Sequence, residues 1–226
     1  MRTEIRHNPG FAVVRCFIGE GEEIKAESGA MAAMGPGVEL EAKMEGGFLK
    51  ALKRSALSGD SFFVTTYKST YAGGWVDVAA RLPGDAIVID VTPDRGLAVT
   101  RGGWLANDPS VAMDSKWGGT NNLFGGEGGF VARFTGQGSV VVGAYGAIDE
   151  HVLGPDDWMT IDSGHIVAYD DGLGMQAVTA GGFMNAMKSG EGFVVIVRGP
   201  GRLWTQTRNP SALIEWLTTV LPFTRA

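Results

Sequence analysis

Gly21-Glu22-Glu23-Ile24 leading to Glu27-Ser28-Gly29-Ala30-Met31, Gly84-Asp85-Ala86-Ile87 leading to Asp90, and Asp156-Asp157-Trp158-Met159 leading to Asp162-Ser163-Gly164-His165-Ile166 share one pattern. In each, an acidic turn opens an alternating run, the mark of a β-strand whose successive side chains face opposite ways. Aligned on that turn, Ile24, Ile87 and Met159 correspond. A second landmark follows, a glycine pair opening a short apolar segment: Gly46-Gly47-Phe48-Leu49-Lys50-Ala51-Leu52, Gly118-Gly119-Thr120-Asn121-Asn122-Leu123-Phe124, and Gly181-Gly182-Phe183-Met184-Asn185-Ala186-Met187. The third is a turn into a β-run, at Gly59-Asp60-Ser61-Phe62-Phe63-Val64, Gly126-Glu127-Gly128-Gly129-Phe130-Val131 and Gly190-Glu191-Gly192-Phe193-Val194. The order is constant and the spacing is roughly 65 to 70 residues, so duplication is the simplest explanation.

Composition fits many short strands. Of 226 residues, 44% are hydrophobic and 19% charged, which is enough apolar surface to offset the entropy of folding. The 35 glycines have no collagen-like period and mark tight turns. Glycine-rich connections at Tyr71 to Trp75, Gly136 to Val140 and Gly199 to Leu203 separate repeats of about six strands each. The expected fold class is all-β, with a single domain over residues 1–208 made of three repeats at approximately 10–72, 73–137 and 138–208. A lone unit of ~65 residues would be marginal, so the three should pack as one.

Trp75-Val76-Asp77-Val78-Ala79 and Met159-Thr160-Ile161-Asp162 alternate, while Phe193 to Val197 does not and reads as a strand buried on both faces. Residues 209–226 form a C-terminal helix and tail. Asn209 can cap, Pro210 takes the first helical position, and Leu213, Ile214, Trp216, Leu217, Val220 and Leu221 give an apolar face before Pro222. Phe48 to Leu57 is a second candidate helix.

Gly29-Ala30-Met31, Met34, Pro36-Gly37-Val38, Gly46-Gly47, Phe62-Phe63-Val64, Pro83-Gly84-Asp85, Gly102-Gly103-Trp104-Leu105-Ala106, Ser189-Gly190-Glu191-Gly192 and Leu203-Trp204-Thr205-Gln206-Thr207 carry a family resemblance. Over essentially its whole length the chain resembles a bacterial member of the "altered inheritance of mitochondria" mitochondrial-biogenesis family. The resemblance implies three short double-stranded β-helix units, related in fold to the tryptophan RNA-binding attenuation protein, in subunits that form a ring-like trimer. Mitochondrial members are associated with inner-membrane architecture, which implies a scaffold more than a catalyst. This chain departs from them in showing no targeting peptide.

Conventional chemistry is hard to place. His7, His151 and His165 lack metal-binding spacing, and His165 stands where the first repeat has Ala30. Glu20, Glu22, Glu23 and Glu27, like Asp156-Asp157 and Asp170-Asp171, read as solvated turns. Gly182 with Lys188-Ser189 lacks the last glycine of a phosphate loop, and Gly125 to Gly129 leads into a strand where a dinucleotide fingerprint needs a helix. Cys16, the only cysteine, lies in an apolar run and reads as a buried thiol. No catalytic, cofactor-binding or metal-binding residue is assigned, and no cofactor is implied.

The residues chosen for interaction are Phe48, Leu49, Leu52, Phe124, Phe183, Met184 and Met187, large apolar groups after glycine pairs. The leading expectation is a non-catalytic, cytoplasmic homo-oligomer, a trimer by the resemblance, that presents a surface to an unidentified protein or, peripherally, to a membrane. The net charge of −6 argues against nucleic acid. An RNA-binding ring remains an alternative, with Lys68 beside Tyr67 and Tyr71, or Arg202 beside Trp204, as its nearest candidates. A small-ligand or metal-binding barrel is the other.

Overall fold

The computed structural model describes residues 1–41, 64–100, 102–116, 131–178 and 194–222. The described residues are nearly all β, with one short α-helix near the C-terminus. A lead strand, β1 (Arg2–Arg6), precedes β2 (Val13–Ile18), β3 (Glu23–Glu27), β4 (Met31–Met34), β5 (Val38–Glu41), β6 (Val64–Ser69) and β7 (Gly74–Ala79). Next come β8 (Ala86–Val91), β9 (Leu97–Thr100), β10 (Trp104–Asn107), β11 (Val111–Lys116), β12 (Val131–Gly136) and β13 (Gly138–Gly143). The last are β14 (Ile148–Leu153), β15 (Trp158–Asp162), β16 (Ile166–Asp170), β17 (Gly174–Val178), β18 (Val194–Arg198) and β19 (Gly201–Gln206), then helix α1 (Pro210–Val220).

The pairing of these strands recurs. β2 and β4 flank β7, β8 and β10 flank β13, and β14 and β16 flank β19. Likewise β3 and β5 flank β6, β9 and β11 flank β12, and β15 and β17 flank β18. Each set of six strands therefore makes two three-stranded half-sheets. A register irregularity recurs as well: one residue is skipped between Met31 and Ala33 against β7, between Trp104 and Ala106 against β13, and between Ile166 and Ala168 against β19. A bulge bends and twists its strand, so the three bent strands present their edges at the same place in each set.

Those edges join the sets. β10 continues past its own half-sheet to pair with β3, and β16 does the same with β9, which makes two six-stranded sheets. β10 also packs over β7, and β16 over β13. The apolar clusters follow this sharing. One joins Val14, Cys16, Val76 and Val78 to Leu105 and Val141 of the next set, and a second joins Leu97, Trp104 and Phe134 to Val167 and Trp204. The third, with Leu173, Val195, Val197 and Leu203, has no following set to cover it.

The segments that lead from one set to the next also bond to one another. Ala12 donates to the Gly84 carbonyl, Asp85 to the Gly146 carbonyl, and Thr207 to the Ala147 carbonyl. Glycine is required at Gly84, where any Cβ would overlap the Ala144 carbonyl.

Three sequence readings shift. Through β6, β12 and β18, Ile24 faces Tyr67, Leu97 faces Phe134 and Met159 faces Val197, so Leu97 and not Ile87 matches Ile24 and Met159. Gly84-Asp85 leads into β8, the counterpart of β2, and the turn before β9 is the Thr92–Arg95 bridge. The glycine connections near 71–75, 136–140 and 199–203 join β6 to β7, β12 to β13 and β18 to β19, so they fall within a set of six. β18 alternates: Val195 and Val197 are buried while Val194 and Ile196 are half-exposed. The possible helix Phe48 to Leu57 lies outside the described residues.

Candidate interaction edges

Among the described residues, strands β3 and β9 are paired on both sides, whereas β15, their counterpart, pairs only with β18. Among the same residues, β10 and β16 are paired on both sides, whereas β4 pairs only with β7. The arc of three sets thus ends in two open edges that match the two halves of each internal joint. An open strand exposes a row of backbone donors and acceptors, a template for pairing with another chain.

Burial marks the same two ends. All four residues of β10 are buried, including Leu105 at 1% exposure, while in β4 the counterpart of Leu105, Ala32, is exposed, and so is Met34, at 39%. On the other side, Ile24 and Leu97 are buried but Met159 is half-buried, and Ala26 and Val99 are buried but Ile161 is half-buried. Large exposed hydrophobics fall at the ends too. Phe11, Met34, Leu40, Val64 and Tyr71 belong to the first set and its lead-in. Val152, Trp158, Ile214, Trp216, Val220 and Leu221 belong to the third set and α1. Among the described residues, β8 to β13 contribute none.

A model of the mitochondrial biogenesis AIM24 family matches residues 3–208. The chain belongs to that family. It is also 28% identical to an uncharacterised protein of Streptococcus pyogenes serotype M6, over 98% of this chain and 92% of the relative. The X-ray crystal structure of a Streptococcus pyogenes protein superposes with a TM-score of 0.81 at 27% identity, covering 97% of this chain and 99% of the other. The AIM24 match stops two residues before Pro210, so α1 lies beyond the part that defines the family.

Several polar groups of this AIM24 chain are engaged internally. Asp77 accepts from Arg6 at 2.7 Å and from Arg15 at 2.8 and 2.9 Å, and the Arg15 guanidinium lies 3.7 Å over the Trp75 ring. The hydrogen bond from Arg15 is the main reason the Asp77 carboxyl is held below the usual range, with the Arg6 bond and both positive charges helping and burial opposing. His151 shares a hydrogen bond with the Thr205 hydroxyl, and His165 Nδ1 lies 2.6 Å from the Gln206 carbonyl. Among the described residues, no three His, Cys, Asp or Glu side chains converge to hold a metal. Cys16 is fully buried, and burial pushes its thiol up to about 12. A cavity of about 390 Å³ opens beside Ile18, Glu22, Ile24 and Ser110, and its Asp108 carboxylate takes the Ser139 N–H and the Met1 amine.

The seven residues chosen from the sequence, Phe48, Leu49, Leu52, Phe124, Phe183, Met184 and Met187, all lie outside the described residues, between β5 and β6, β11 and β12, or β17 and β18. Of the aromatic groups considered for RNA stacking, Tyr71 is exposed, whereas Tyr67 and Trp204 lie in the core. Tyr67 is 2% exposed, and Trp204 is 3% exposed beneath Arg202, which is itself paired with Asp170. The sequence reading did not single out β4, β15 or Trp158. Their signal is position alone: among the described residues, β4 and β15 lack the second neighbour that their counterparts have. Among the described residues, no helix is long and apolar enough to cross a membrane.

Proposed function

We propose that the protein is a non-catalytic scaffold of the cytoplasm whose copies join head to tail through β4 and β15. One observation carries this reading: both internal joints are made by the strands equivalent to those left open at the ends. In the joints, Ala106 faces Ala26 and Asn107 faces Lys25, and Ala168 faces Val99 and Tyr169 faces Ala98. Transferred to the ends, that register sets Ala33 of one copy opposite Ile161 of the next, and Met34 opposite Thr160. The interface is heterologous, so an open row of copies keeps one free β4 and one free β15 at its two ends, and closure into a ring pairs them. The ring-like trimer implied by the family is one such closure.

A second copy would continue the half-sheet of β15, β18 and β17 and cover the third apolar cluster, as β10 and β16 help cover the first two. The segments that carry Phe48, Phe124 and Phe183 would then be repeated around the assembly, where an unidentified protein partner can engage several at once. Sedimentation equilibrium at micromolar concentration tests the reading. A mass that is a fixed multiple of the 226-residue chain is expected, and a monomer throughout would refute it.

A further inference from the structure

Helix α1 carries Leu213, Ile214, Trp216, Leu217 and Val220, yet none of its residues is buried. An eleven-residue helix is marginal alone, so an apolar face of this kind needs something to pack on. Its polar face supplies Glu215 as the only charge and no Lys or Arg, a poor match to the anionic surface that basic interfacial helices seek.

Chain succession says what lies beside it. β7 ends at Ala79 opposite Val13, β13 at Gly143 opposite Ala86, and β19 at Gln206 opposite Ile148, so the three ends are equivalent. After the first two, the chain crosses directly into the next set, to β8 and β14. After the third it crosses through Thr207 and Arg208, which bond to Ala147 and Tyr145, and enters α1. The helix therefore departs where the first strand of a fourth set would begin. In a head-to-tail assembly that place is taken by the lead-in to β2 of a second copy. Phe11, 73% exposed, is in that lead-in, at the position of Gly84 and Gly146.

We infer that α1 is a strap between subunits, its exposed Trp216 and Val220 side packing on the Phe11 end of the next copy. The inference rests on the head-to-tail reading above and adds the occupant of the helix face. It also accounts for large exposed apolar groups standing on both sides of one prospective contact.

Two differently tagged chains, one Phe11→Cys and one Trp216→Cys, are co-expressed and treated with a short bismaleimide; native Cys16 is buried and stays silent. Cross-linked product between the tags is expected, well above a control pairing Trp216→Cys with Asp94→Cys, an exposed site in the middle set. Trp216→Asp with Val220→Asp is expected to weaken self-association about tenfold or more, as loss of a buried apolar anchor does. If the wild type is oligomeric but yields no product above the control, the strap is refuted and the head-to-tail reading survives. If the wild type is a monomer, both fall. If the aspartate variant assembles normally but loses flotation with phosphatidylglycerol vesicles that the wild type shows, the helix is a membrane contact and the inference is overturned.

Discussion

Leu105, in the joint between β3 and β10, is buried by a neighbouring set, while Ala32, at the same position in β4, faces solvent. Met159 and Leu97 differ in the same sense across β15 and β9. One backbone arrangement therefore occurs in two conditions, twice completed within the chain and once left open at its ends. Burial follows: apolar side chains are covered where the neighbour is built in, and exposed or half-exposed where it would have to arrive from outside. On the head-to-tail proposal the open edges are unfilled copies of the internal joint, and that joint supplies their geometry.

The comparison breaks most readily at its closed member. Leu105→Ala should cost about 2–5 kcal/mol in denaturant unfolding, the range for a large core side chain truncated in a packed site. Ala32→Asp, the matched change at the open edge, should leave monomer unfolding within about 0.5 kcal/mol of wild type, as exposed substitutions do, while abolishing assembly. Equal costs at the two positions would show that the edge is not an unfilled joint.

The Arg6–Arg15–Asp77 cluster sharpens the contrast on another axis, because Asp77 stands where the middle set has Val141. Its carboxyl is depressed in the folded protein, so the stability it contributes is complete above the ordinary aspartate value of about 3.9. That stability is lost as pH falls through the lower native value. Asp77→Asn should therefore cost about 1–3 kcal/mol at pH 7, measured by urea unfolding. The gap from wild type should close as the pH drops below about 4. A gap that stays constant down to strong acid would mean the carboxylate charge contributes nothing.

A smaller effect concerns Cys16, which the first apolar cluster hides. With its thiol pushed up to about 12 by burial, maleimide labelling of the native protein should be slower than that of the urea-unfolded chain by orders of magnitude. Rapid native labelling would show that the cluster opens locally.

Local signals were legible in the sequence. Asn209 caps α1 by accepting from Ser211 N–H, with Pro210 in the first turn, as composition alone suggested. Gly136, Gly138 and Gly201 adopt the positive φ that their turns were expected to need. What depended on relations across the chain was not legible. The acidic turn at Gly84-Asp85 resembled the first landmark more closely than Thr92 to Arg95 does, so Ile87 took the place that pairing gives to Leu97. The repeated bulge leaves no residue signature, because Met31, Trp104 and Ile166 share neither size nor shape. Whether an edge is open depends on which strands remain unpaired after all others have found partners, and no window of sequence holds that. The apolar segments after the glycine pairs drew the site reading because they are conspicuous locally, while Trp158, one residue inside an ordinary strand, is not.

The most direct test of the head-to-tail joint is a charge-reversal pair across it, followed by mass measurement of the assembly. Met34→Lys with Thr160→Lys places like charges opposite each other only between copies, and should reduce the protein to folded monomers; Met34→Lys with Thr160→Glu should restore the wild-type mass. Oligomers of unchanged mass in the doubly lysine-substituted protein would contradict the account.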